Sequence, residues 1–384
     1  MKSVGVVKET FPGERRVAIV PAIIPILSKA GFEIHCQRGA GEASGYEDAN
    51  YAERGATLVD DRESVFSRCE ILCQVRSLGA NTDNGRSDLP LLRSGQAVFG
   101  MFEPLTERDS MNAIAERGVT QFAMEMIPRI TRAQSMDVLS SMATIAGYKA
   151  VLIAAQHLPK MFPMLMTAAG TVSPAKVLVI GAGVAGLQAI ASSKRMGAVV
   201  SAYDVRSAVK EEVESLGAKF VEMDLDSEGA QDAGGYAKAL GEEFYRKQRE
   251  LMTRVIAEQD VVITTAAVPG KKAPLLVTTP MVEAMHRGGV IVDLAAERGG
   301  NCELTEPGQT VERHNITIAG PLNIPSEIPF HASQMYAKNM ATLLTHVFKD
   351  DGPDFEDEIT RDTVVTHGGR ITNERVLEVY GGQG

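Results

Sequence analysis

The sequence has little that would tie it to nucleic acid, to disulfides or to a metal. Lys and Arg number 39 against 49 Asp and Glu, a formal charge of -10. No basic field is available to attract a phosphate backbone, so nucleic acid is not expected as a partner. Only four cysteines are present, Cys36, Cys69, Cys73 and Cys302. The one close pair is spaced C-x-x-x-C with no second ligand pair, which points to buried free thiols in a reducing compartment and to no metal site. Met1 and Lys2 lead into a short run, Val4 to Val7, too brief and too soon charged for a signal-peptide core. No apolar run of membrane length is found, and no direct membrane insertion is expected. What is present is an ordinary globular composition, 44% hydrophobic and 23% charged. At 384 residues the chain exceeds what one core usually serves, which favours two domains.

Short β-like runs at Val4 to Val7, Glu33 to Gln37, Ile71 to Val75 and Ala97 to Met101 alternate with helical patterns such as Pro21 to Ala30, the signature of parallel βαβ units. Asn81 to Pro90 reads as a polar loop. Ser140 to His157 reads as a long apolar helix crossing between domains. From Val177 onward strands are expected at Val177 to Ile180, up to Asp204, at Phe220 to Val221, Val261 to Thr264, Val290 to Asp293 and Ile316 to Ile318. A helix over Met335 to Val347 returns the chain to the first domain, and the tail from Asp350 is expected to be a mobile end. The fold expected is α/β: two Rossmann-like domains with parallel sheets, separated by a cleft, with the long helix crossing between them. The domains are 1–138 plus 326–384, and 139–325.

Val177-Leu-Val-Ile180 leads directly into Gly181-Ala-Gly183-Val184-Ala185-Gly186, then a helix, then a strand ending at Asp204. That order satisfies the dinucleotide fingerprint: Gly181 permits the tight turn, Gly183 admits a pyrophosphate, Gly186 allows close helix packing, and the helix N-terminus supplies positive potential. Asp204 is placed to accept hydrogen bonds from the adenosine ribose and to repel a 2′-phosphate, favouring NAD(H) over NADP(H). Arg206, beyond Val205, works against that preference. Gly39-Ala-Gly41-Glu-Ala-Ser-Gly45 also follows a strand, but its third glycine comes one position late and Glu42 opposes a phosphate, so it is expected to be a structural turn.

Arg129, Arg132, Gln134 and Asp137 crowd into nine residues among Met124, Met126, Ile127 and Ile130, a mixture that favours a cofactor-facing loop over a solvated connector. A second stretch, Asp232-Ala-Gly-Gly234 onward through Tyr236, is equally compatible with a lid and with an ordinary loop.

PRITRAQSMDVLSSMATIAGYKA, VIGAGVAGLQAI, DAGGYAK, TTAAVPGKKAP and VDLAAERGGNC together closely resemble the NAD(H)-binding components of proton-translocating nicotinamide nucleotide transhydrogenases and, more distantly, alanine dehydrogenases, over nearly the whole chain. The resemblance implies a homodimer that passes hydride from NADH to NADP held by a partner component, while a separate membrane-spanning subunit couples the exchange to proton flow. The chain is then cytoplasmic and peripheral on the inner membrane through its partners. It implies that the loop Arg129, Ile130, Thr131, Arg132, Gln134, Asp137 and Ser140 meets the nicotinamide end. Tyr236 then lies at the tip of a mobile loop with Gly234, and Gln248 and Ala267 also touch the cofactor.

Reductive amination, the alanine dehydrogenase reaction, needs a cation for the substrate carboxylate and a proton donor or acceptor near the reacting carbon. By the same resemblance Arg76 stands where those enzymes carry a substrate lysine, and Glu103 where their catalytic histidine is expected. Arg16 matches the family's substrate arginine, and Glu297 stands where they place an acid. The alternatives to transhydrogenation are an amino-acid dehydrogenase with a rebuilt site, or an NADH-sensing module with no turnover.

Overall fold

Runs of β-branched and aromatic residues build two open sheets, each within its own unit of the chain: Met1–Met142 with Pro325–Gly384, and Ala143–Ile324. The computed structural model describes residues 1–222, 242–267, 270–349 and 352–381.

In the first unit β1 (Lys2–Val6), β2 (Phe32–Gln37), β3 (Thr57–Val59), β4 (Ile71–Arg76), β5 (Ala97–Met101) and β6 (Thr120–Ala123) lie parallel in the order β6-β5-β4-β1-β2-β3. The tail corrects an expectation. Instead of a mobile end, Val364–His367 and Arg370–Ile371 add two antiparallel strands beside β6, flanked by helices Glu358–Thr363 and Glu374–Val379. Val364, Val365, Ile371 and Val376 are buried there, so this segment contributes apolar area to the core. The segment expected as a polar loop also has structure: Gly85–Leu91 is a 3-10 helix, and its Asp88 is buried against Arg62 at 2.6 and 2.5 Å. Helix Pro329–Val347 begins with proline at its first position, earlier than its apolar pattern indicated.

The second unit contains an exposed hairpin, β7 (Leu165–Thr167) with β8 (Gly170–Val172). Its main sheet comprises β9 (Lys176–Ile180), β10 (Val199–Tyr203), β11 (Lys219–Phe220), β12 (Val261–Thr264), β13 (Val290–Asp293), β14 (Thr310–Arg313) and β15 (Ile316–Ala319). The order is β11-β10-β9-β12-β13-β15-β14, parallel except for β14. Each sheet is thus parallel at its centre with an antiparallel edge, where wholly parallel sheets were expected. In the second sheet the strand order reverses between β9 and β12, the point at which open α/β sheets bind ligands.

Helix Val138–His157 departs from the expectation of no membrane-length apolar run: its 20 residues, at a hydropathy of 1.6, are long and apolar enough to span one. Packing accounts for the composition. Ala150, Val151 and Ala154 lie in the second unit's core, and a Cβ on Gly147 would sit 2.1 Å from the Ala185 carbonyl oxygen. All four cysteines are buried and free, as expected; burial pushes the Cys36 and Cys69 thiols up to about 12 and Cys302 to about 11.

Candidate functional site

Val177–Ile180 are buried, and the chain leaves β9 through Gly181 at φ +100, a conformation that strains any side chain. The Thr265 hydroxyl donates to the Gly181 carbonyl at 2.9 Å, tying the turn to the chain leaving β12. A Cβ on Gly186 would lie 1.8 Å from that same carbonyl oxygen, so the helix can approach the turn only because position 186 is bare. Gly183 is different, since a Cβ there would meet nothing within 4 Å. It caps helix Val184–Arg195, which starts without a side-chain cap. The helix's first N–H groups therefore face an open position at the switch point of the sheet. Those donors, with the positive end of the helix dipole, fit a pyrophosphate.

Asp204 follows β10, and its side chain is nearly buried, at 6% exposure. It accepts from the Ala182 N–H at 2.7 Å and from the Arg206 N–H at 2.9 Å, Nε at 2.9 Å and NH2 at 2.8 Å. The hydrogen bond to Asp204 raises the Arg206 pKa, so the cation two residues on is turned back on the acid. Val205 packs against the core between them. Gln248 is buried and donates to the Tyr203 hydroxyl at 2.9 Å. Ala267 is exposed just beyond β12.

A polar network that was not singled out from the sequence supports this end of the sheet. Asp293, fully buried, accepts from the Thr264 hydroxyl, the Ala295, Asn301 and Cys302 N–H groups, and the Thr305 hydroxyl, at 2.7 to 3.0 Å. Asn301, also buried, accepts from the Ala266 N–H at 3.0 Å and donates to the Ala266 and Pro274 carbonyls at 2.8 Å. The chain that carries Ala267 away from β12 is thereby held from below. The only sequence signal was the density of polar residues in VDLAAERGGNC.

In the first unit the Arg129 to Ser140 segment is a 3-10 turn, Thr131–Met136, leading into helix Val138–His157. The turn's period of three buries Ala133 and Met136 and exposes Thr131, Arg132 and Gln134; Arg129 is exposed and Ile130 half-buried. Asp137 accepts from the Ser140 N–H at 2.9 Å and hydroxyl at 2.6 Å, capping the helix start. Arg132 reaches Asp357 at 2.6 Å. Gly234 and Tyr236 lie outside the described residues.

The residues raised by the amino-acid dehydrogenase alternative fall into a charged cluster in the first unit. Arg16, 2% exposed, is bound through Nε and NH2 to Glu14 at 2.7 and 2.6 Å. Burial opposes its charge, and the Glu14 carboxylate outweighs that cost. Arg76 lies 3.5 Å from the same carboxylate and 4.4 Å over the Phe11 ring. Glu9 accepts from the Val75 and Arg76 N–H groups at 2.6 and 3.0 Å. Glu125 accepts from Phe102 and Glu103 at 2.6 and 2.7 Å, with Glu103 at φ +55. Burial pushes both Glu9 and Glu125 up to about 7. Glu297, in the second unit, accepts from the Asn323 N–H. The second glycine cluster is a packed turn: a Cβ on Gly41 would meet the Tyr51 hydroxyl at 2.6 Å and the Tyr46 carbonyl at 2.8 Å.

Two family models match, "Alanine dehydrogenase/PNT, N-terminal domain" over residues 5–146 and "Alanine dehydrogenase/PNT, C-terminal domain" over residues 150–374. The chain is 45% identical over 375 residues to an NAD(P) transhydrogenase subunit alpha chain of Rhodospirillum rubrum, covering 96% of this chain and 97% of that protein. Among solved structures, a transhydrogenase from Sinorhizobium meliloti superposes with a TM-score of 0.84 at 41% identity, over 97% of this chain and 100% of that one. An L-alanine dehydrogenase shares the fold with a TM-score of 0.80 at 24% identity, over 99% of each chain.

Proposed function

The chain belongs to the alanine dehydrogenase/PNT family, among its NAD(P) transhydrogenase alpha subunits, and from that premise we propose that it is the NAD(H)-binding component of a proton-translocating transhydrogenase. Hydride passes directly between the nicotinamide of NADH and that of NADP held by a partner subunit. The observation that carries this assignment is the uncapped helix start at Gly183 beside the Asp204 carboxylate. The Gly183 to Gly186 donors take the pyrophosphate, and Asp204 takes the adenosine ribose. Asp204 also sets NAD(H) over NADP(H), because it repels a 2′-phosphate and holds the Arg206 guanidinium to itself.

The exposed side chains of the Arg129–Ser140 loop orient the nicotinamide, with Asp137 and Ser140 fixing where the loop enters its helix. Correct orientation alone can lower a barrier by about 7 to 11 kcal/mol in favourable cases, and the reaction requires no general acid or base. The amino-acid dehydrogenase alternative is disfavoured by the pairing of Arg16 with Glu14 and by glutamate at position 103.

The partners proposed are a second copy of this chain, an NADP(H)-binding subunit and a membrane-spanning subunit that couples hydride transfer to proton flow. The chain then sits on the cytoplasmic face of the inner membrane through those subunits. The test is NADH oxidation by the purified chain, once with pyruvate and ammonium and once with an NADP-binding transhydrogenase subunit and an NADP-site acceptor. Turnover is expected only with the partner subunit. Turnover with pyruvate and ammonium alone makes the chain an amino-acid dehydrogenase, and NADH binding with no turnover in either makes it a sensor.

A further inference from the structure

The Thr131–Met136 turn is short, has no side-chain N-cap and relies on 3-10 hydrogen bonds, which are poorer than those of an α-helix. Its shape is therefore held from outside. Ala133 and Met136 anchor it in the core, and the Asn339 amide donates to the Ser135 carbonyl at 2.8 Å. The remaining tether is Arg132, whose NH1 meets Asp357 at 2.6 Å and whose NH2 lies 3.7 Å from Glu358.

Asp357 is itself fixed before it meets Arg132. One carboxylate oxygen accepts from the Ile359 and Thr360 N–H groups at 3.0 and 3.2 Å, capping helix Glu358–Thr363, and lies 2.8 Å from His346 Nε2. The other oxygen is presented to Arg132. Burial works to raise the Asp357 pKa, but the hydrogen bonds from His346 and Arg132 outweigh it and hold the carboxyl well below its ordinary range.

We propose that Asp357 is a positioning residue for the nicotinamide-end loop: it holds Arg132, and through it sets the turn that presents Gln134. Arg132 is then an anchor of the loop rather than a ligand of the nucleotide. The inference rests on assigning the Arg129–Ser140 loop to the nicotinamide end. Exposed ion pairs contribute little to global stability, and Arg132 is half exposed, so the effect belongs to loop geometry and not to folding.

The experiment compares NADH with ADP-ribose, which lacks the nicotinamide ring, on the full-length chain. NADH is followed by its own fluorescence, which no tryptophan obscures because the sequence has none, and ADP-ribose by competition. Asp357→Asn keeps an oxygen to cap the helix and removes the charge that holds Arg132. It is expected to weaken NADH about two- to fivefold, with ADP-ribose affinity and melting temperature unchanged. Because the two residues act as one unit, Arg132→Gln combined with Asp357→Asn is expected to bind NADH no worse than the weaker single variant. Unchanged NADH affinity in Asp357→Asn, equal weakening of both ligands, or additive losses in the double variant would overturn the proposal. Gln134→Ala separates the two layers. If it leaves NADH binding intact, the loop assignment fails; if it weakens NADH while Asp357→Asn does not, only the role of Asp357 fails.

Discussion

The carboxyl ends of β9 and β1 occupy equivalent places in two α/β sheets, yet they are finished in opposite ways. After β9 come three glycines and a helix start with no side-chain cap. After β1 comes Glu9, whose carboxylate takes the Val75 and Arg76 N–H groups, and near it Glu14, which closes on Arg16. A parallel sheet always leaves backbone donors at this end. Glycine leaves them to a ligand, whereas buried acids and their cations satisfy them from within. One unit is thereby built to take a dinucleotide, and the other is internally neutralised at the same position.

That contrast breaks most visibly at Glu14. Glu14→Ala leaves the buried Arg16 guanidinium without its bidentate partner and is expected to cost about 3–5 kcal/mol, read by chemical denaturation; Glu14→Ala with Arg16→Met should regain most of it. A loss under about 1 kcal/mol in the single variant would mean that the pair does not close the first unit.

The acids of the first unit also predict a pH dependence. Glu9 and Glu125 are raised from 4.5 to about 7, so the folded chain binds protons that the unfolded chain has already released. Their contribution is fully present below about pH 4.5 and is lost as pH rises through 7. Melting temperature should decline across that window, and Glu125→Gln should flatten the decline. An unchanged slope would show that Glu125 stays ionised in the fold.

In the second unit the glycines divide by role. Gly186→Ala forces a Cβ onto the Gly181 carbonyl and is expected to cost about 1–3 kcal/mol, with NADH binding lost alongside stability. Gly183→Ala should melt like the parent and lose NADH affinity alone, because its Cβ enters open space that a pyrophosphate would use. Equal melting losses in the two variants would erase the distinction. The smallest effect is expected at Asp204: Asp204→Ala releases Arg206 and should narrow the NADH to NADPH affinity ratio about tenfold, or 1.4 kcal/mol. A ratio unchanged by titration with both nucleotides would place specificity elsewhere.

Much of the fold was legible because buried parallel strands read as continuous apolar runs: Ala97–Met101, Val261–Thr264 and Val290–Asp293 begin and end where the sequence suggested. The strands that escaped, such as Thr57–Val59, Thr310–Arg313 and Val364–His367, are short edge segments. Their extended state comes from pairing with a neighbour and not from their own composition. The apolar helix Val138–His157 was recognisable as a helix, but its length and hydropathy alone did not distinguish a packed core helix from a membrane span.

The amino-acid sequence alone determined the glycine turn at the end of β9, because positive φ, close helix approach and an open donor site are local demands that only glycine at set spacings meets. It also placed an acid at the end of the next strand. Tertiary structure decided what that acid and the other charges do: Asp204 holds Arg206, Asp293 holds the chain around Asn301, and Asp357 holds Arg132. Charge and hydrogen bonding carry no sequence periodicity, and whether a carboxylate is a ligand, a cap or an anchor depends on burial and on the donors that folding brings to it.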